Sequence, residues 1–309
     1  MNNQMRGRLS RLVVVLVCMG NTAIAGAVYD ITIDTSSLAG HAAQPFSLAF
    51  QLTDGSGVGN LSSNVRVTNL DLGNGSSVGT SMALGGTTGD LSVGLNLSDS
   101  TFLNAFIQRF TPGNFVKFRL NLVFTPEASE TPDHFSFSIL DNSGVSIPTR
   151  AGTPVDVLGS LDFVQDLPVL QVFAGDTSRS PVGGGGPIDL VTPIAELLVV
   201  MDIKPGETPN SINPRQNGRV PVAILSVSGF HARSISVNTI RFGRTGTEAS
   251  PSQSALTDVN RDGKLDLLLH FRTQESGIRC GDITAVLTGT TTSGMAIKGA
   301  DRIRTVSCR

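Results

Sequence analysis

The chain has no tryptophan and a single tyrosine, Tyr29. A sugar cleft built from stacked aromatic planes would have to rely on phenylalanine, and most of the 15 phenylalanines fall on the inward positions of alternating segments. Histidine is scarce too: His41, His134, His231 and His270 are far apart in sequence. None stands in a G-x-S-x-G or similar nucleophile frame, and no two have the close spacing of a zinc site. The 25 acidic residues contain no pair that sequence alone marks for acid–base work. No run of lysine or arginine marks a nucleic-acid surface. Beyond the N-terminus, no apolar stretch is long enough to span a bilayer.

The N-terminus reads as an export leader. Arg6, Arg8 and Arg11 precede a short apolar core, Leu12 to Met19, and Ala23-Ile24-Ala25 follows as a small-x-small exit. Residues 1–25 are therefore expected to be a signal peptide cut after Ala25. Val17 before Cys18 argues against a lipoprotein, and no C-terminal anchor is expected, so the mature chain should be secreted or extracellular, with envelope association left open. Removing the leader leaves two cysteines, Cys280 and Cys308, which in an exported chain read as one disulfide. They are too far apart for a C-x-x-C redox pair. The mature charge is uneven: residues 26–176 hold 14 acids against 5 bases, and residues 177–309 hold 11 against 15. Opposite signs would steer the two halves toward each other.

Gly, Ser, Thr, Asn and Asp dominate between short β-prone runs, and long 3.6-residue periodicity is absent. The expected fold class is all-β, with two β-sandwich-like domains joined by a Gly/Pro-rich linker. Expected strands in the first half are 29–34, 47–52, 64–70, 91–97, 116–124 and 134–140. In FVKFRLNLVF, Phe118, Leu120 and Leu122 face one way and Lys117, Arg119 and Asn121 the other, as in a sheet with one wet face. One short helix is expected at 98–110, where Phe102, Phe106 and Phe110 stand at i, i+4 and i+8. TSRSPVGGGGP opens the linker, 177–196. The domains are then 26–176 and 197–309, with second-half strands at 197–203, 220–225, 236–242, 265–271, 283–288 and 302–307.

The strongest chemical signal is DVNRDGKLD. Asp258, Asn260 and Asp262 occupy positions 1, 3 and 5 of a calcium-type loop, and Gly263 allows the sharp turn. Lys264 would offer its backbone carbonyl and Asp266 a further carboxylate. Leu269 stands where an EF-hand needs glutamate, so the loop is not a complete EF-hand. Calcium is the expected cofactor; a solvated Asx-rich turn is the competing reading. DIKPG at 202–206 reads as a structural turn, and the glycines 183–186 lack the strand–helix context of a phosphate loop.

Two stretches carry family resemblances. VYDITIDTSSLAGHAAQPFSLAFQL, with VTNLDLG, FLNAFIQRFTPGNFVKFRLNL and FSFSILD, resembles the N-terminal module of exported bacterial PEP-CTERM proteins, over about 28–176. The Pro-Glu-Pro sorting tail typical of those proteins does not follow here. VVMDIKPGETPNSINPRQNGRVPVAILS resembles the opening of an extracellular β-sandwich accessory module, over about 198–308, in which a D-x-N-x-D-G-x-x-D loop before a strand is common. Neither resemblance implies catalysis. The expectation is an exported, non-catalytic structural or adhesive protein with a calcium-stabilised C-terminal module. Its partner would be an extracellular or cell-surface component, a polysaccharide among the candidates. A calcium-dependent carbohydrate-binding protein and a secreted hydrolase are the alternatives.

Overall fold

A computed structural model describes residues 25–308 apart from 126–130, 152–154, 165–168 and 228. Nearly all of the expected leader lies outside the described residues. The described chain is all-β, with four 3-10 turns of three or four residues and no α-helix.

The first sandwich packs two sheets face to face. One sheet contains Ala25–Asp34, Phe115–Phe124, Ser63–Asp71, Gly94–Ser98 and Gly86–Asp90 in that order. The other runs from Gln171–Val172 through Gly159–Asp162, His134–Leu140, Phe46–Thr53 and Leu103–Thr111 to Ser76–Ser77. Alternation in sequence becomes alternation in burial: Val116, Phe118, Leu120, Leu122 and Phe124 are all 2% exposed or less, while Lys117 and Val123 face outward. Phe118 stands edge-on to Phe50 at 5.2 Å and to Phe137 at 5.3 Å between ring centres, joining the two sheets.

The same first sheet continues into the second half. Ile194–Leu198 pairs antiparallel with Ala25–Asp34 and parallel with Ala296–Arg302, and Thr284–Thr290 and Arg241–Gly243 complete nine strands. A four-stranded sheet, Met201–Ile203, Arg219–Ile224, Asp266–Arg272 and Gln253–Thr257, packs against this end, with the Phe242 and Phe271 rings 4.8 Å apart. The two halves thus share one sheet. Their outward faces carry the Asp30–Arg119 pair at 2.7 Å and the Glu196–Lys298 pair at 3.6 Å.

Several expectations change in detail. The run at 236–242 is a 3-10 turn, Val237–Thr239, followed by the short strand Arg241–Gly243. The 98–110 stretch is not a helix. Its core is the strand Leu103–Thr111, paired with Phe46–Thr53 on one side and with Met82–Leu84 on the other. A spacing of four is also a multiple of two, so Asn104, Phe106 and Phe110 fall on one buried face of a strand, and Phe102 lies outside it, 58% exposed. The run at 197–203 is two strands in different sheets, Ile194–Leu198 and Met201–Ile203. The strand expected at 265–271 starts one residue later, at Asp266, and Leu265 is exposed at the end of the loop.

The stretch read as a linker is docked along its length. Arg179 pairs with Asp156 and Asp176 and donates to the Thr149 carbonyl. The Gly183 N–H donates to Asp141 at 2.7 Å, and His41 Nε2 lies 3.2 Å from the Gly186 carbonyl. Gly184, Gly185 and Gly186 all take positive φ, so this path around the first sandwich is one that side chains would resist. Cys280 and Cys308 form the disulfide, with Cα atoms 5.6 Å apart. It holds the tail beside the short parallel pair Ser211–Ile212 and Arg304–Thr305.

Tyr29 lies at the centre of the shared sheet, opposite Leu197 on one side and Leu120 on the other, and is 1% exposed. Burial pushes its phenol up to about 12, against a smaller opposing effect of a Leu170 backbone hydrogen bond. An unfolded chain ionises near 10 and the folded one does not. The stability that goes with the neutral phenol is therefore present in full below pH 10 and is lost as pH rises toward 12, on the order of 2–3 kcal/mol. With no other tyrosine and no tryptophan, absorbance at the tyrosinate band reports this one group. The native chain should titrate near 12 and the denatured chain near 10; a native midpoint near 10 would mean an open seam.

Candidate functional site

Among the described residues, the one group of three or more carboxylate, imidazole or thiol side chains close enough to share an ion is Asp54, Asp99 and Asp133. One ligand atom from each lies within 4.8 Å of the others. All three are buried, at 1%, 0% and 5% exposed. Each flanks a strand: Asp54 follows Phe46–Thr53, Asp99 follows Gly94–Ser98, and Asp133 precedes His134–Leu140. Thr53 and His134 are paired neighbours in one sheet, whereas Gly94–Ser98 belongs to the other. The cluster thus bridges both sheets at one end of the first sandwich.

The loop from Asp54 to Ser63 wraps the cluster and supplies its donors. Asp54 accepts the backbone N–H groups of Ser56, Gly57 and Gly59 and the Ser56 hydroxyl. Burial alone would raise its carboxyl, but these donors outweigh it and hold the group below the ordinary range. Gly59 has φ +81, and a Cβ there would lie 2.3 Å from the Ser100 carbonyl, so only glycine fits this close crossing. Asp133 accepts the Gly55 N–H at 2.8 Å, and its Oδ2 lies 3.1 Å from the Ser62 hydroxyl, whose one proton it shares with Asp99.

Asp99 is served on one oxygen only. Its Oδ2 accepts from Ser62 N, Ser62 Oγ and Ser63 N, each at 3.0 Å. Its Oδ1 is buried and has no hydrogen-bond partner. Burial pushes the Asp99 carboxyl up to about 6; the Ser63 and Ser62 donors oppose this, and Asp133 adds to it through the hydrogen bond the two carboxyl groups share when one is protonated and through its charge. None of the ion pairs among the described residues includes Asp54, Asp99 or Asp133. The donor set is all oxygen, the kind that suits calcium or magnesium rather than a thiolate- or imidazole-seeking metal.

The sequence-derived loop has a different geometry. Asp258 accepts the N–H groups of Asp262 and Gly263 at 3.1 and 3.0 Å. Asn260 Oδ1 accepts the Asp262 N–H at 3.1 Å, and Asn260 Nδ2 donates to Asp262 Oδ2 at 3.2 Å. Asp262 Oδ1 caps the Lys264 N–H at 2.9 Å. Asp258, Asn260 and Asp262 thus come together around a tight turn, with Arg261 at φ +63 and Gly263 at φ +86. Lys264 is half-buried at the exit. Asp266 is used elsewhere. It is 0% exposed and accepts Ser226 N–H at 2.8 Å and Val259 N–H at 2.9 Å, fastening the loop to the neighbouring strand end. Asp258, Asp262 and Asp266 do not form a three-carboxylate group like the one in the first sandwich.

DIKPG is a closed turn: Lys204 has φ +54 and donates to the Ser211 carbonyl, and Asp301 accepts the Ile203 N–H at 2.9 Å. Sequence reading missed Asp54, Asp99 and Asp133 because they lie in three separate loops. The available signal was that each sits directly beside a recognisable strand end.

No family model, curated protein or solved structure matches this chain. Among the described residues no helix is long and apolar enough to cross a membrane.

Proposed function

We propose that this chain is an exported, non-catalytic protein of the extracellular space or cell envelope, with a structural or adhesive role and a calcium-binding loop at 258–266. The observation that carries the reading is the nine-stranded sheet shared by both halves. A hydrogen-bonded sheet passes load from one half to the other without a hinge, which suits a spacer or adhesive element. The Cys280–Cys308 bond suits an oxidising compartment. Asp258, Asn260 and Asp262 gather oxygen atoms at one exposed turn, where a cation would relieve carboxylate crowding.

The test is to express residues 1–309 with a C-terminal tag in a bacterial host, fractionate the cells and sequence the N-terminus of the product. The expected product begins at Gly26, lies outside the cytoplasm, has no free thiol and sediments with washed cell surfaces in calcium but not in EDTA. A chain retained in the cytoplasm with leader intact would sink the reading. So would turnover of glycoside, ester or peptide substrates by the purified chain.

A further inference from the structure

We propose that Asp54, Asp99 and Asp133 form a divalent-cation site, for calcium by its all-oxygen donors, that clamps the two sheets of the first sandwich together. Two independent observations meet here. Three buried carboxylates share one small volume with no cationic side chain paired to them among the described residues. The wholly buried Asp99 side chain belongs to this group, and its Oδ1 has no hydrogen-bond partner. Native chains seldom leave a buried carboxylate oxygen empty, because its lost hydration has to be replaced.

The remaining capacity fits a cation better than another donor. Asp54 already accepts four hydrogen bonds and acts mainly as the loop's cap. Asp133 accepts the Gly55 N–H on one oxygen and shares the single Ser62 hydroxyl proton with Asp99 on the other, so it keeps a lone pair on each. Asp99 Oδ1 keeps both of its own. The open acceptors therefore belong to Asp99 and Asp133, which come from opposite sheets. A hard cation between them replaces like-charge repulsion by attraction to both and binds the folded state alone, since the three aspartates are distant in sequence. The site is separate from the 258–266 loop, in residues, in half of the chain and in burial.

The experiment uses the mature full-length chain carrying Asp262→Ala, so that the exposed loop does not contribute. Calcium binding is measured by isothermal titration calorimetry and melting by differential scanning calorimetry, in calcium, in magnesium and in EDTA. One calcium per chain should bind, with melting raised by about 5–10 °C at calcium a hundredfold above its Kd, and with magnesium giving the smaller shift. Adding Asp99→Asn should abolish the binding and the shift. In EDTA the Asp99→Asn chain should melt no lower than its parent, because one of three crowded charges is gone. A merely structural Asp99 gives the opposite pattern: equal destabilisation in calcium and EDTA, and no calcium response in the parent. That result overturns the proposal, as does a calcium response that survives Asp99→Asn. If Asp99→Asn fails to fold, Asp133→Asn takes its place, and absence of calcium binding by the Asp262→Ala parent is decisive by itself.

Discussion

Phe118→Ala should lower the stability of the chain by about 3–5 kcal/mol, read as a fall in the denaturant midpoint by far-UV circular dichroism. Phe118 is 2% exposed and touches rings from both neighbouring strands of the facing sheet, Phe50 and Phe137. Alanine there removes the ring's transfer free energy and leaves a cavity that β-branched and aromatic neighbours on fixed strands cannot close. The adjacent Lys117 points outward and lies over the Phe115 ring at 4.2 Å, an exposed contact worth roughly 0.5–1 kcal/mol. Lys117→Ala should therefore cost under about 1 kcal/mol. Equal losses at 117 and 118 would contradict the alternation on which the sandwich rests.

Asp266→Ala should cost about 2–5 kcal/mol, and should do so in EDTA as well as in calcium. Its carboxylate is wholly buried and accepts two backbone N–H groups, from Ser226 and Val259. Alanine leaves both donors without a partner, each at roughly 1–3 kcal/mol. Asp262→Ala should differ in kind. Its side chain is exposed, caps one backbone N–H and accepts the exposed Asn260 amide, so the loss in EDTA should stay under about 1 kcal/mol, while any calcium response of the loop should vanish. Calorimetric melts of both variants with and without calcium separate the roles. A loss at 266 that appears only in calcium would make Asp266 a ligand and not the loop's anchor.

Period-two alternation identified the central strands almost to the residue: 116–124 became Phe115–Phe124, and 134–140 is the strand His134–Leu140. The pattern is local and needs no knowledge of partners. The Phe102, Phe106 and Phe110 spacing satisfied both helix and strand, and only pairing with Phe46–Thr53 and Met82–Leu84 decides for the strand. The DVNRDGKLD loop was legible as a tight turn rich in side-chain oxygens. Its ninth position was not, because Asp266 answers to Ser226, forty residues away.

By itself, the sequence determined an all-β chain, its strand periodicity, the cysteine pair available for bonding and a tight turn rich in side-chain oxygens at 258–263, all set by residue type and short-range spacing. Tertiary structure decided the rest. It placed Ile194–Leu198 between strands of opposite halves, so that two sandwiches share one sheet. It also gathered Asp54, Asp99 and Asp133 from three loops into one buried volume. The physical reason is the same in both cases: strand neighbours and buried charge clusters are set by which edges and ends meet in space. Loop closure over tens of residues adds only slowly to the entropic cost of bringing them together, so no spacing rule in the chain announces them.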